Sequence, residues 1–570
     1  MRRFALLSAL IILAISLGLS QQWSRVWKMT APPYLTLEQI TELGMVKAGF
    51  DTDEDGWGEV ICTWTDLDTN AILMYEADGD NSYKLVWSWV YPFNSSLANT
   101  YAGIAVGDIN TNGVVDIVTT LPSAVGTNPN PLRVWAFEWN GIVGQNAYGF
   151  YDATKKTYDP SGAWNFDAPN GYDMRPYSLT IEDIDNDGMN ELIAGIRQAG
   201  PTGVTREVIV ASVEGEFGGF AAWNLEWKFS ENFGGANYST TTGDLDNDGN
   251  KEIYMFIWNY FTMRIFECTG DRQYTQVFAL DEFTRPEGID FGALDAVCVA
   301  DVNKDGINEM YIAGTEPQNA IFIITGVTDV STMTSANIKR LYTIPVTAGG
   351  KFRTMYIADP DHDGNTDLMI GGETNGQIFS LEYKGSGDPA DSANWHHQVL
   401  FDIFQESGLT TISPRLFYGS PAKDMDKDGK DEYVFVNYSP DFAVWPGDSP
   451  LWIIEIDVAA DVRDETMGLP NDFQLLQNYP NPFNPSTTIR YGLPHKSMVQ
   501  LTIYDALGQQ VALLVQGDQE AGYHEVKLDG SGLSSGVYFY RIQAGDPSTS
   551  SGPRAESRGF VQTRKLLLLK

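Results

Sequence analysis

The sequence predicts an all-β protein, a seven-bladed β-propeller followed by a small C-terminal β-sandwich. Three observations carry that expectation. A nine-residue acidic loop recurs seven times, 57 to 75 residues apart, the runs flanking each copy are rich in β-branched and aromatic residues, and the composition changes after about Val462. A repeated segment is the mark of a modular architecture, and at 570 residues the chain exceeds what one ordinary core supports. The spacing is enough for one four-stranded sheet with its connections, and seven such sheets set radially leave only short protected edges.

The loops begin at Asp51 (DTDEDGWGE), Asp108 (DINTNGVVD), Asp183 (DIDNDGMNE), Asp244 (DLDNDGNKE), Asp301 (DVNKDGINE), Asp359 (DPDHDGNTD) and Asp424 (DMDKDGKDE). Crowded carboxylates repel, so each loop calls for a cation. Oxygen-bearing side chains at positions 1, 3, 5 and 9 have the spacing that wraps a hard divalent ion, and calcium is the expected one, up to seven structural ions in all. The candidate ligands are Asp51, Asp53, Asp55 and Glu59; Asp108, Asn110, Asn112 and Asp116; Asp183, Asp185, Asp187 and Glu191; Asp244, Asp246, Asp248 and Glu252. The remaining three copies offer Asp301, Asn303, Asp305 and Glu309; Asp359, Asp361, Asp363 and Asp367; Asp424, Asp426, Asp428 and Glu432. Position 7 varies from Trp57 to Lys430, as suits a residue that supplies only its carbonyl, and position 6 is always glycine, as suits a turn with positive φ. Amides in the second and fifth copies lower the ligand charge, so weaker binding is expected there.

Runs such as AVCVA and TMYIA precede the loops, and LIAGI and IYMFIW follow them, so each loop is a strand-to-strand turn rather than a helical calcium hand. Tryptophans of the later strands (Trp87, Trp89, Trp135, Trp139, Trp227) are expected to pack between adjacent sheets. The last copy ends at LWIIEID, a third strand, whereas WSRVWKM (Trp23 to Met29) reads like a fourth strand. The N-terminal segment should therefore complete the seventh sheet.

The D-x-D-x-D-G-x-x-[D/E] array from residue 23 to about 458 resembles the FG-GAP/VCBS calcium-binding propellers, which include the integrin α-subunit head. The resemblance implies calcium loops on one face and ligands on the opposite face. It specifies fold far better than function.

Arg2, Arg3, an apolar run from Phe4 to Leu19 and Gly18-Leu19-Ser20 before Gln21 make residues 1–20 a cleavable export signal, and nothing after it reads as a transmembrane segment. The propeller is assigned to 21–460, a linker to 461–475 and the second domain to 476–570. A net charge of −38 argues against nucleic acid or an anionic membrane as a general partner. Cys62, Cys268 and Cys298 lie in apolar strand-like runs and read as buried residues with room for one optional bridge.

In the second domain the strands VQLTIYDALG, HEVKLDG and GVYFYRIQAG follow a Pro/Asn-rich entry. Asn478-Tyr-Pro-Asn-Pro-Phe-Asn-Pro485, Ile503-Tyr-Asp-Ala-Leu-Gly508, Ser535-Gly-Val-Tyr538 and Thr563-Arg-Lys-Leu-Leu-Leu-Leu-Lys570 closely resemble the type A C-terminal sorting domain of type IX secretion. That resemblance implies export across the outer membrane of a Gram-negative bacterium through the type IX machinery, with the cargo then released or surface-attached. A Gly/Ser/Pro-rich insertion from Gly545 to Gly559 lengthens the final hairpin.

There is no HExxH and no phosphate-binding glycine loop, and five histidines do not form a zinc pattern. The stretch from Asn146 to Tyr177, with Phe93, Tyr101, Tyr238, Phe291, Phe417, Tyr418 and the arginines Arg175, Arg285, Arg353 and Arg415, is expected on the face opposite calcium. Aromatic platforms with arginine suit a glycan. A surface binding or adhesion module for a glycan or protein ligand is the expected function. A polysaccharide lyase or hydrolase and a structural subunit of a surface assembly are the alternatives.

Overall fold

The computed structural model describes residues between 23 and 568, leaving out 30–41, 66–69, 92–101, 122–131, 281–292, 344–350, 408–415, 438–448, 457–472, 546–559 and some shorter stretches. The expected export signal, most of the linker and the Gly545 to Gly559 insertion lie outside the described residues. The chain divides into two units, Met1–Ala460 and Asp461–Lys570.

In the first unit seven four-stranded antiparallel sheets follow one another along the chain. Their first strands are Glu42–Phe50, Ile104–Gly107, Asp173–Glu182, Ala236–Gly243, Ala293–Ala300, Lys351–Ala358 and Tyr418–Ala422. Each of these touches the first strand of the next sheet, and the last touches the first, so the contacts close in a ring. The seventh sheet is completed by Trp23–Lys28, paired antiparallel with Leu451–Ile456 from Trp23 opposite Ile456 to Lys28 opposite Trp452. The two ends of the unit are thus joined by a sheet ladder.

The second strands are short continuous apolar runs because they are covered on both faces. Ile253 to Ile257 are all fully buried, as are Tyr433 to Val436. Such runs read as buried strands, in contrast to the alternating pattern of a half-solvated one. The tryptophans fill the gaps between sheets: Trp89 lies 5.7 Å from Trp135 and 4.9 Å from Phe137, and Trp452 lies 5.6 Å from Phe401 of the preceding sheet. Trp452 is wholly buried, and removing about 200 Å² of its ring from water at ~25 cal/mol/Å² contributes about 5 kcal/mol. All three cysteines sit on strands as free thiols, Cys62 and Cys268 buried and Cys298 half-buried, so the optional bridge is not made.

In the second unit a four-stranded sheet (Ser497–Asp505, Gln510–Gln519, Gly536–Gly545, Phe560–Leu568) and a three-stranded sheet (Gln474–Leu475, Ser486–Leu493, Gly522–Asp529) share one core that includes Ile489, Tyr491, Leu501, Tyr540 and Leu566. The Asn478 to Pro485 motif is tied to the end of the chain. The Phe483 N–H donates to the Leu567 carbonyl at 2.9 Å, and the Asn478 N–H donates to the Tyr540 hydroxyl at 2.8 Å.

Candidate metal-binding loops

The seven acidic loops connect first to second strands, and their backbones repeat one conformation. In every copy the position-6 glycine has φ between 82° and 92°, and its N–H donates to the position-1 carboxylate at 2.6–3.2 Å. The position-7 N–H donates to the position-5 side-chain oxygen at 2.7–2.9 Å in all seven. Position 4 is also left-handed everywhere, with φ of 55–66° at Glu54, Thr111, Asn186, Asn247, Lys304, His362 and Lys427. Non-glycine residues seldom adopt that region, so the loop's own hydrogen bonds must hold it.

Position 9 opens the second strand and turns its acid inward. One oxygen of Glu59, Asp116, Glu191, Glu252 and Glu432 accepts the position-2 N–H at 2.8–3.0 Å. The other oxygen of each, and one oxygen of Asp367, is buried without a hydrogen-bond partner. Asp53, Asp246 and Asp426 at position 3, and Asp183 and Asp359 at position 1, each leave one oxygen in the same state. A buried unpartnered carboxylate oxygen is costly unless a cation or a proton meets it. Carboxylate oxygens of Asp51, Asp53 and Glu59, and likewise of Asp183, Asp185 and Glu191, lie within 4.8 Å of one another, close enough to share one ion. Hard oxygen donors of this kind fit calcium, with positions 1, 3, 5 and 9 as the residues that would hold it.

Without a cation the acids hold protons instead. Burial first, then neighbouring carboxylates, push Glu59 and Glu432 up to about 9, Asp116, Glu191, Glu252 and Asp367 up to about 8, and Glu309 up to about 7.

The sequence reading missed two parts of the site. Position 9 faces a second acid directly across the ladder in five sheets: Glu59 opposite Glu76, Asp116 opposite Glu138, Glu252 opposite Glu267, Asp367 opposite Glu382 and Glu432 opposite Glu455. Like charges directly opposite destabilise a sheet, which adds to the demand for positive charge. The recurring glutamate in LMYEADG, VWAFEWNG, IFECTG, SLEYKG and WIIEID was the available signal. Some of that charge is met by the protein, since Lys84 pairs with Glu76 at 2.9 Å, Lys430 pairs with Glu455, and the Asn112 amide donates to Glu138 at 2.9 Å.

The second missed part is that each loop also joins its neighbour. Asn186 donates to the Gly249 carbonyl and Asn247 to the Gly306 carbonyl at 3.0 Å, Lys304 to the Gly364 carbonyl at 2.7 Å and Lys427 to the Asp55 carbonyl at 3.5 Å. His362 meets Asp431 at 3.2 Å, and Thr111 accepts the Asn190 N–H at 3.2 Å. The position-3 carboxylates of Asp185, Asp246 and Asp426 accept N–H groups of Arg272, Val330 and Asn81 from the following sheet at 2.6–2.9 Å. At the remaining junction Asn146 reaches Asp53 at 2.9 Å.

That contact corrects the placement of the Asn146 to Tyr177 stretch. It was expected wholly opposite the loops, but its start belongs to a third-to-fourth strand connection, which returns to the loop end of the sheet. Further along, Gly162–Trp164 is the fourth strand of the second sheet and Asp173–Glu182 opens the third. Of the expected arginines, Arg175 pairs with Asp173 at 2.9 Å rather than facing a ligand. Tyr238 carries Arg197 over its ring at 4.9 Å, and the hydroxyls of Tyr177 and Tyr418 bond to each other. Phe93, Tyr101, Phe291, Phe417, Arg285 and Arg415 lie outside the described residues.

Residues 477–551 match the secretion system C-terminal sorting domain. The chain is therefore exported by type IX secretion, and is secreted or surface-attached. No curated protein matches the chain. Among solved structures it is similar to one described as the basis of specific recognition of non-reducing terminal N-acetylglucosamine by an Agrocybe aegerita lectin, at 16% identity and a TM-score of 0.38, covering 70% of this chain and 85% of that one. It is also similar to the Vanderwaltozyma polyspora Nup133 β-propeller domain, at 10% identity and a TM-score of 0.39, covering 77% of this chain and 99% of that one. Among the described residues no helix is long and apolar enough to cross a membrane.

Proposed function

We propose that this protein is a calcium-binding, seven-bladed β-propeller of the FG-GAP/VCBS kind that works outside the cell as a binding or adhesion module. The observation that supports the reading best is the presence of unpartnered, buried carboxylate oxygens in six of the seven loops that share one conformation. Calcium has a structural part in it. When bound, the ion supplies the positive charge that each loop lacks; the chain's own groups shape the turn and bond it to the next sheet. A stiff ring of this sort presents its connecting loops in fixed positions, which is what a surface binder requires.

Equilibrium dialysis of the exported protein is expected to give close to seven calcium ions. Asp244→Ala, which deletes position 1 of the fourth loop, should lower that number by one and leave the protein folded. An unchanged stoichiometry would remove the loops from the reading. For the binding role, a glycan and matrix-protein array is read with calcium, again with chelator, and with product analysis on each hit. Calcium-dependent capture without turnover is the expected result; chain cleavage would make the protein an enzyme, and silence across the array would count against a binding module.

A further inference from the structure

The first strands line a cavity of about 180 Å³ on the axis of the ring, and strands from all seven sheets contribute to its wall. We propose that this cavity binds a small carboxylate bearing a short apolar tail, with Lys47 as its counter-charge. The site is separate from the acidic loops and does not depend on what they hold.

Among the described residues Lys47 is the one charged side chain in the wall. No acidic residue lines this cavity among the described residues, and Lys47 has no hydrogen-bond or ion-pair partner among them. The carboxylates on adjoining strands, Glu59 and Glu432, turn instead into the loops, where they accept the Thr52 and Met425 N–H groups. Lys47 is half-buried, and burial draws its pKa down. An anion brought into the cavity would supply the missing partner.

The rest of the wall selects among anions. Thr180, Thr241 and Tyr356 offer hydroxyls, while Met45, Ile104 and Val297 offer apolar surface. The volume corresponds to about six waters at ~30 Å³ each, which suits a molecule of about six heavy atoms. A short-chain carboxylate uses both kinds of wall. Phosphate gains nothing from the apolar side and brings more charge than one lysine offsets. The hydroxyls of Tyr177 and Tyr418, from the third and seventh sheets, bond to each other across the axis and narrow the cavity there.

The test uses the full chain in saturating calcium, with chloride, phosphate, acetate and butyrate compared at one ionic strength by calorimetric titration and by melting temperature. Butyrate should bind more tightly than acetate, and both should raise the melting temperature where chloride and phosphate do not. Lys47→Met should weaken butyrate binding at least tenfold while leaving the calcium stoichiometry unchanged; Lys47→Gln gives the same comparison should the methionine variant misfold. Absence of carboxylate binding, equal effects of chloride or phosphate, or undiminished butyrate binding in either folded variant would each overturn the assignment.

Discussion

In excess chelator, the melting temperature of the exported protein is expected to fall by about 10 °C relative to millimolar calcium. The size follows from mass action: at free calcium ten times the dissociation constant each occupied loop adds about 1.4 kcal/mol, so seven add about 10 kcal/mol. Spread over the unfolding entropy of roughly 430 residues in one cooperative unit, that is a shift of about 10 °C. Scanning calorimetry with and without chelator measures it, and an unchanged melt would sink the structural role of the ion.

The shape of the transition is informative as well. Repeats that touch only their neighbours can in principle loosen one at a time. Here the loops themselves are part of the junctions, since Asn186, Asn247, Lys304 and Lys427 each reach the next loop. The sheet ladder between Trp23–Lys28 and Leu451–Ile456 leaves no free end from which unravelling could start. A single transition that moves as a whole is therefore expected.

What was legible in the sequence is whatever a local rule dictates. A glycine at position 6 announces its positive φ because only glycine takes it without strain. Position 4 announced nothing. Glu54, Thr111 and His362 share a left-handed backbone that their side chains would not choose alone, and only the surrounding loop imposes it. The acids facing position 9 were equally hidden, because Glu76 meets Glu59 only through a strand register that composition does not fix. Asn146 is 93 residues from Asp53, and no spacing rule joins them. The all-β class and the glycine turn of each loop were readable, whereas the contacts that couple one loop to the next were tertiary from the start.

A second large effect concerns pH. In chelator, stability should fall continuously as pH rises from about 5 to about 9. The position-9 acids, near 4 to 4.5 when unfolded, lie at about 7 to 9 in the folded, calcium-free protein. The folded state therefore binds more protons across that window, its advantage is complete below the unfolded value, and it is lost as pH passes through the folded one. Calcium is expected to reverse the trend, because an ion in each loop would take the place of the protons and favour the ionised acids. The calcium-dependent gain in melting temperature should thus be smallest near pH 5 and largest near pH 9. Glu252→Gln separates the two states at pH 8. In chelator the neutral amide relieves a buried, partly unpaired charge and should stabilise the fold by about 1–3 kcal/mol; in calcium the same change removes a ligand and should destabilise it. A variant that melts lower than the parent in both buffers would mean that Glu252 serves the turn alone, through its bond to the Leu245 N–H, and has no cation to hold.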